Sequence, residues 1–475
     1  MSGRRFAIHG IRNLEVLIMG SLLTRRSFMK KTSAGLTGAA LVAVAPGSLR
    51  ANAAGNANEL AVLGGTPVRT KSFDQPWPIF DENEEKALLK ALRSRNWCCL
   101  KGSAVYDFEK QFAQAMGVSH CVLSNGGTTA LSASLHCLGV GPGDEVITTP
   151  NTFIATINVI CNAHALPVFV DIDPDTGSID ANLIERAITE HTKAILPVHL
   201  SGFPADIEKV MAVAGKHKIP VVEDACQSVF AEVNGRKVGT FGATGCISFQ
   251  EWKSLVCGEG GAILGSDEEL MRRCAAFVNN GRDPKGIKKG YPFPGSNHRM
   301  TEFQAAVLTE QFKRFREQDK IRQKNGEYLE RELARIPGLR PRKVYSKDTR
   351  FTYVTFELDY ERQQFGNVPA SRFAEALRAE GVPVRGGQRI YSPGCHKEGM
   401  LEAHLNSPGF HASFSKARLK MYRESLRLPI IDNIRPSGKE RLSIESKIAF
   451  LGLRNDIDDI VEAFAKVAKN ANKLA

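Results

Sequence analysis

A single lysine, Lys253, stands inside the stretch from Ser248 to Gly261, which reads SFQEWKSLVCGEGG. A short apolar run, Gly245-Cys246-Ile247-Ser248-Phe249, leads into it. Gly258-Glu259-Gly260-Gly261 turns out of it into Ala262-Ile263-Leu264. A strand end surrounded by tight turns and small residues can hold an amine in a dry pocket, where its neutral form is a nucleophile able to form a Schiff base. Taken alone, a lysine beside a hairpin turn is more often a solvated surface residue, so the reading depends on what the rest of the chain supplies.

Three other segments supply it. Ser124-Asn125-Gly126-Gly127-Thr128-Thr129 links an apolar strand to a helix. Small residues there let backbone N–H groups approach an anion, and the helix start adds a favourable partial charge. The plain alternative is an ordinary tight turn; no Gly-Lys-Ser/Thr follows, so it is not a nucleotide P-loop. Asp224 ends another apolar strand, where its carboxylate can pair with a cationic ring nitrogen or simply cap the next turn. Phe153, in Pro150-Asn151-Thr152-Phe153, follows a third strand and can cover a flat ring or pack in the core. An amine, an anion cradle, an acid for a ring nitrogen and an aromatic cover are together the requirements of pyridoxal 5'-phosphate.

Such a set needs a scaffold that gathers strand ends. From Cys121 the chain reads strand 121–123, helix 128–138, strand 145–148, helix 151–163, strand 167–170, helix 182–188, strand 194–198, helix 204–216 and strand 220–222, the last ending at Glu223-Asp224. This alternation predicts an α/β fold, a mostly parallel sheet with helices on both faces. Ligands bind at the carboxyl edge of such sheets. Helices 82–94, capped by Asp81, and 105–116 precede it. Helix 268–280, a long glycine-rich basic loop 281–297 and helix 301–334 follow. Past Pro337, strand 351–358, helix 369–381, strand 382–384 and helix 457–469 predict a smaller α+β domain, with residues 394–446 reading as irregular. The expected division is a signal region 1–53, an arm 54–80 broken by Gly and Pro, a large domain 81–330 and a small C-terminal domain 331–475.

The 475 residues are 43% hydrophobic and 24% charged, an ordinary globular composition. Of the formal charge of +12, residues 1–53 supply +7 from eight basic residues and one acid, leaving +5 for the rest. No basic stripe with interleaved aromatics appears, so no nucleic-acid partner is expected. Thr24-Arg25-Arg26-Ser27-Phe28-Met29-Lys30 resembles a twin-arginine export signal. A weakly apolar segment, 32–46, and the small-x-small site Ala51-Asn52-Ala53 follow it. The expectation is export, to the periplasm, without a stable membrane anchor, because the apolar run is too short to span a bilayer. The ten cysteines are scattered, several in apolar contexts (Cys121, Cys137, Cys161, Cys246), and read as buried thiols. No CxxC pair points to a metal.

The chain resembles the sugar aminotransferases of the DegT/DnrJ/EryC1/StrS type, which have the fold-type I architecture of pyridoxal-phosphate enzymes. The resemblance rests on LAVLGGTPVR, GGTTAL, GVGPGDEVITTPNTFIATINVI, PVFVDIDPDTG, KAILPVHLSGFPADI, VVEDACQ, SFQEWKSLVCGEGG and NHRMTEFQAA, in that order. Within the family, SFQ and LGGTPVR look most like the cyclitol (scyllo-inosose) aminotransferases. The resemblance implies that Lys253 is the Schiff-base lysine, that Asp224 pairs with the pyridine nitrogen and that Gln227 sits near the ring hydroxyl. It implies that Phe153 stacks on the ring, that Gly127 and Thr128 hold the phosphate by backbone N–H, and that Ser248 does so by its hydroxyl. It also implies that Asn297 reaches the phosphate of the other subunit, hence a homodimer with shared active sites. Three features depart from the family pattern: Gly126 replaces a usual Ser or Asn, Trp252 precedes the lysine where a small residue is usual, and residues 394–446 match poorly.

The implied reaction is ping-pong transfer of an amino group from glutamate or glutamine to a keto-sugar or keto-cyclitol. Two readings of other classes stand beside it. A sensor or regulatory protein keeping the fold is expected to have lost Lys253 or Asp224, and both are present. A different pyridoxal chemistry would be dehydration, for which this family's variants lack the lysine, or desulfuration. Desulfuration needs a mobile catalytic cysteine, for which Cys226 and Cys257 are the nearest in sequence.

Overall fold

The computed structural model of the protein describes residues 56–73, 76–387, 394–433, 440–445 and 449–475; the expected export signal in 1–53 lies outside them. Helix α1 (Glu82–Ser94) starts at the predicted Asp81, whose side chain accepts from Asn83 N while Glu84 reaches back to close a capping box. Helix α2 (Ala104–Met116) follows.

Seven strands then build the central sheet: β1 (His120–Ser124), β2 (Glu145–Thr148), β3 (Leu166–Phe169), β4 (Thr192–Leu196), β5 (Val222–Asp224), β6 (Thr244–Ser248) and β7 (Gly261–Gly265). The ladders run β1-β7-β6-β5 and β4-β2-β3. Parallel bridges Ile195 to Val221 and Val198 to Asp224 join the two into one sheet. Every strand runs the same way except β7, which is antiparallel to both β1 and β6.

The period-two alternation of the strands divides two cores. Cys121, Leu123, Ile147, Ile195, Ile247, Ala262 and Leu264 face a layer formed by α2, α5 (Ile207–His217) and α7 (Glu302–Leu333). Val122, Val146, Ala194, Leu196, Cys246 and Ile263 face α3 (Gly127–Cys137), α4 (Ala155–Asn162) and α6 (Glu268–Val278) on the other side. The fold is the predicted α/β sheet with helices on both faces.

A second, antiparallel sheet has the order β8 (Leu339–Pro341), β9 (Phe356–Tyr360), β11 (Glu440–Ile444), β10 (Val384–Gly387). Its core is shared with α8 (Ala370–Ala379), α9 (Arg454–Lys469), the end of α7 and Leu60 of the N-terminal arm. Glu380, fully buried, anchors the arm by accepting from Ala61 N (2.8 Å), Val68 N (3.0 Å) and Lys466 Nζ (2.9 Å).

Four expectations need correction. The helix expected over 151–163 starts only at Ala155, because Asn151 Nδ2 donates to Gly177 O (2.7 Å) and ties the residues before the helix to a distant loop. The helix over 182–188 is a 3₁₀ turn, Ala181–Leu183, capped by Asp180, and one α-turn, Ile184–Ala187. The strand over 351–358 is broken: Thr349–Arg350 pairs elsewhere and β9 begins at Phe356. Between them Tyr353 takes a φ of 41° and lays its ring against Gly326 of α7, where a Cβ would meet it at 2.5 Å. Residues 394–446 are not irregular throughout. Three short helices, Gly399–Leu405, Pro408–Ser413 and Lys416–Ser425, the last two capped by Ser407 and Ser415, pack Leu401, Leu405, Phe410 and Leu419 onto Ile157, Cys161 and Leu166.

Candidate active site

Strands β1, β5 and β6 are parallel and end at one edge with Ser124, Asp224 and Ser248. β7 starts at the same edge with Gly261, paired to both Ser124 and Ser248. A Cβ on Gly261 would lie 2.4 Å from the Gly126 carbonyl carbon and 2.7 Å from Gly127 N. The loop from Ser124 to Gly127 therefore rests directly on the sheet, which only glycine at 261 allows.

Helix α3 leaves this loop with Gly126 as its N-cap, so no side chain claims its first-turn N–H groups. A Cβ on Gly127 would meet Ser248 Cβ at 2.8 Å and Cys226 Sγ at 2.9 Å. Gly127, Ser248 and Cys226 thus converge, with Thr128 exposed beside them. Helix-start N–H groups that no side chain caps, a serine hydroxyl and the positive end of the helix together can hold an anion.

Asp224 faces the same edge and is buried. Its Oδ2 accepts from Thr156 Oγ1 at 2.8 Å and its Oδ1 from Cys226 N at 3.2 Å. Its neighbour Glu223 points to the opposite face of the strand, where it accepts from Gly239 N, Phe241 N and Gly242 N at 2.6–2.7 Å. His199 Nδ1 accepts from Ala205 N (3.1 Å), so its proton sits on Nε2 and is given to Glu223 (3.0 Å). Gln227 Oε1 accepts from Ser201 N at 3.1 Å.

Lys253 is half-buried on the β6–β7 connection, with its N–H on Gln250 O (2.9 Å), and lies close enough to Cys226 for its charge to act on the thiol. The N-terminal arm reaches this loop: Trp77 Nε1 donates to Glu251 O at 2.6 Å. Phe153 is 55% exposed, an open aromatic face on the turn before α4. Asn297 is exposed, one residue before His298, whose carbonyl accepts from Asn125 N at 2.8 Å; within one chain the Asn297 side chain makes no hydrogen bond among the described residues. The structure thus brings Lys253, Asp224, Gly127, Ser248 and Phe153 to one sheet edge and leaves Asn297 pointing to solvent beside it.

Sequence reasoning missed Thr156, Glu223, His199 and Trp77. Thr156, three residues after Phe153, is the one with a local signal, since i and i+3 share a helical turn. Burial and the Asp224 carboxylate push the Cys226 thiol far above its ordinary value, and burial with Glu259 pushes Cys257 up to about 12. Neither is poised as the thiolate that desulfuration requires. No cluster of metal-ligating side chains occurs among the described residues, and no described helix is long and apolar enough to cross a membrane.

The geometry defines a class: an α/β enzyme whose site lies at the carboxyl ends of parallel strands, with an anion seat at a helix start and an amine on the loop above it. Residues 78–442 match the model of the DegT/DnrJ/EryC1/StrS aminotransferase family, and the chain belongs to that family. It is 38% identical over 440 residues to the L-glutamine:2-deoxy-scyllo-inosose aminotransferase of Streptomyces kanamyceticus, covering 88% of this chain and 99% of that protein. It is 35% identical over 443 residues to the enzyme of the same name from Streptoalloteichus tenebrarius, covering 87% and 99%. Among solved structures, an aminotransferase from Psychrobacter cryohalolentis superposes with a TM-score of 0.71 at 29% identity, covering 83% of this chain and 99% of that one. The chain is accordingly a sugar or cyclitol type aminotransferase with the fold-type I architecture.

Proposed function

We propose that the protein binds pyridoxal 5'-phosphate on Lys253 and transfers an amino group from glutamine or glutamate to a keto-cyclitol or keto-sugar. The observation that carries this is the convergence of Gly127, Ser248 and Asp224 beneath the loop bearing Lys253. The N–H groups of Gly127 and Thr128 and the Ser248 hydroxyl hold the phosphate, and Asp224 holds a proton on the ring nitrogen. Phe153 covers one ring face, and Gln227 lies near the ring hydroxyl. Lys253 would hold the cofactor through its Nζ and, once the donor amine had displaced it, would serve as the base that takes the proton from the donor's α-carbon and gives it to the cofactor carbon (C4′) on the far side of the shared nitrogen. When bound, the cofactor accepts the electron pair that this proton leaves behind. Names of relatives with glutamine as donor and an inosose as acceptor support the same pair here, in the ping-pong order expected of two half-reactions on one amine.

The proposal extends to a homodimer in which Asn297 completes the phosphate seat of the partner, and to export through the twin-arginine pathway directed by Arg25 and Arg26. The first test is the absorption spectrum of the full chain and of Lys253→Ala, each with cofactor and then with glutamine or glutamate. A visible band absent from the mutant and fading as donor is added is expected. A band that no donor changes favours a sensor or another pyridoxal chemistry, and no band in the native chain overturns the assignment. For export, Arg25→Lys with Arg26→Lys is expected to retain the protein in the cytoplasm; an unchanged periplasmic fraction overturns that part alone.

A further inference from the structure

Thr156 Oγ1 lies 2.8 Å from Asp224 Oδ2 and 2.8 Å from Thr152 Oγ1, and all three side chains are buried. A hydroxyl has one proton to give. Thr156 gives its proton to Asp224, so the contact with Thr152 is made by the Thr152 proton. The result is a directed chain, Thr152 to Thr156 to Asp224. At the other carboxylate oxygen the donor is Cys226 N–H, 3.2 Å away. Both oxygens of Asp224 are thus tied, one to the first turn of α4 and one to the turn that follows β5. A carboxylate held at one oxygen can rotate about its terminal torsion, which is broad; held at two, its plane is fixed.

The donor is itself anchored. Thr156 N–H bonds Phe153 O at 3.1 Å, so the hydroxyl that holds Asp224 and the aromatic ring of Phe153 belong to one closed turn. Asn151 Nδ2 on Gly177 O (2.7 Å), Cys395 N on Pro150 O (2.8 Å) and Cys395 Sγ on Thr152 O (3.1 Å) fasten the rest of that turn. A valine at 156 would fill the same space but leave the buried Asp224 Oδ2 without its donor.

We infer that Thr156, backed by Thr152, is a positioning residue that sets the plane of the Asp224 carboxylate toward the cofactor's ring nitrogen. The inference rests on the cofactor reading above. With the plane fixed, the aspartate meets the ring N–H squarely and keeps the proton on it. With the hydroxyl removed, the ring is less firmly protonated and draws fewer electrons from its carbon–nitrogen bond to Lys253. That bond then keeps its own proton to higher pH.

The test uses the full chain, stripped of cofactor and titrated with it, comparing native, Thr156→Val, Thr156→Ser and Thr152→Val. Thr156→Val is expected to weaken cofactor binding ~10-fold and to move the pH midpoint of the visible band upward by about one unit, tenfold in affinity corresponding to one unit of pH. Thr156→Ser keeps the donor and is expected to stay near native in both. Thr152→Val leaves Thr156 on Asp224 and is expected to shift both in the same direction by a smaller amount. A native affinity and midpoint in Thr156→Val overturns the inference, as does an equal defect in Thr156→Ser, which would assign the effect to packing. Should Thr156→Val fail to fold, an unshifted midpoint in Thr152→Val overturns it. If the native chain itself forms no band dependent on Lys253, the cofactor reading fails; if it does and the threonine variants match it, only this inference fails.

Discussion

His199 Nε2 lies 3.0 Å from Glu223 Oε2, with both side chains sealed from solvent and Glu223 next in the chain to Asp224. Glu223 collects three backbone N–H groups besides, so the pair locks β5 to the 239–242 turn. Removing the carboxylate leaves four donors, two of them fully buried, without an acceptor. Glu223→Ala is expected to destabilise by several kcal/mol, at about 1–3 kcal/mol for each buried donor left unsatisfied, read as an earlier denaturation midpoint. Asp224→Asn, its neighbour on the other face, is expected to leave that midpoint nearly unchanged while altering the bound-cofactor spectrum. Equal destabilisation by both would remove the division of β5 into a structural face and a chemical face.

Gly127 makes a second separable prediction. Its backbone is helical, so alanine carries no backbone strain there, and only the space for Cβ is lacking, with Ser248 Cβ at 2.8 Å and Cys226 Sγ at 2.9 Å. Overpacking of this kind costs about 1–3 kcal/mol. Gly127→Ala is expected to fold with a modestly lower melting temperature and to bind cofactor at least ~10-fold more weakly, measured by equilibrium titration. Unchanged affinity would move the phosphate seat elsewhere.

The strand ends were legible because their neighbours are local: β6, the lysine and the glycine turn are contiguous, and so are β1 and its loop. The short-range pattern also gave α1, whose cap and first turn of acids lie within four residues. What escaped is made by distant pairs. Glu223 and His199 are 24 residues apart and Trp77 and Glu251 174 apart. The Thr156 hydroxyl finds Asp224 across 68 residues. The strand expected over 351–358 is rich in aromatic and β-branched residues from end to end, and nothing local announces that Tyr353 must turn inward onto Gly326. The three helices between residues 399 and 425 were hidden by their shortness, although Ser407 with Pro408, and Ser415, are ordinary helix-start signals.

Glu109 on α2 is a half-buried acid pushed up to about 8 by desolvation, with Oε1 accepting from Leu123 N at 2.8 Å. Unfolded, it titrates near 4.5. Its folded value is the higher, so its contribution to stability is complete below about pH 4.5 and is lost as pH rises through about 8. At ~1.4 kcal/mol per pKa unit the loss across that window is on the order of 5 kcal/mol. Glu109→Gln keeps the acceptor and removes the proton equilibrium, and is expected to flatten the fall in denaturation midpoint between pH 5 and 9. A parallel pH dependence in the two proteins would place the titrating group elsewhere.

Asn297 tests whether the sites are shared. It stands exposed on a loop pinned to the Ser124–Gly127 loop by Asn125 N on His298 O. If it serves the partner's phosphate, Asn297→Ala is expected to weaken cofactor binding by ~10-fold, the worth of one hydrogen bond to a charged group, while Lys253→Ala gives no lysine-dependent band at all. Mixing the two under conditions that exchange subunits then makes hybrids with one site repaired, Lys253 from one chain and Asn297 from the other, and one site doubly damaged. With random exchange half the dimers are hybrids, so about a quarter of all sites regain native affinity. At cofactor concentrations too low to load Asn297→Ala, that quarter appears as a band neither variant shows alone. A mixture showing only the sum of its components, or a native chain that sediments as a monomer, would make each site self-contained and leave Asn297 without a part in it.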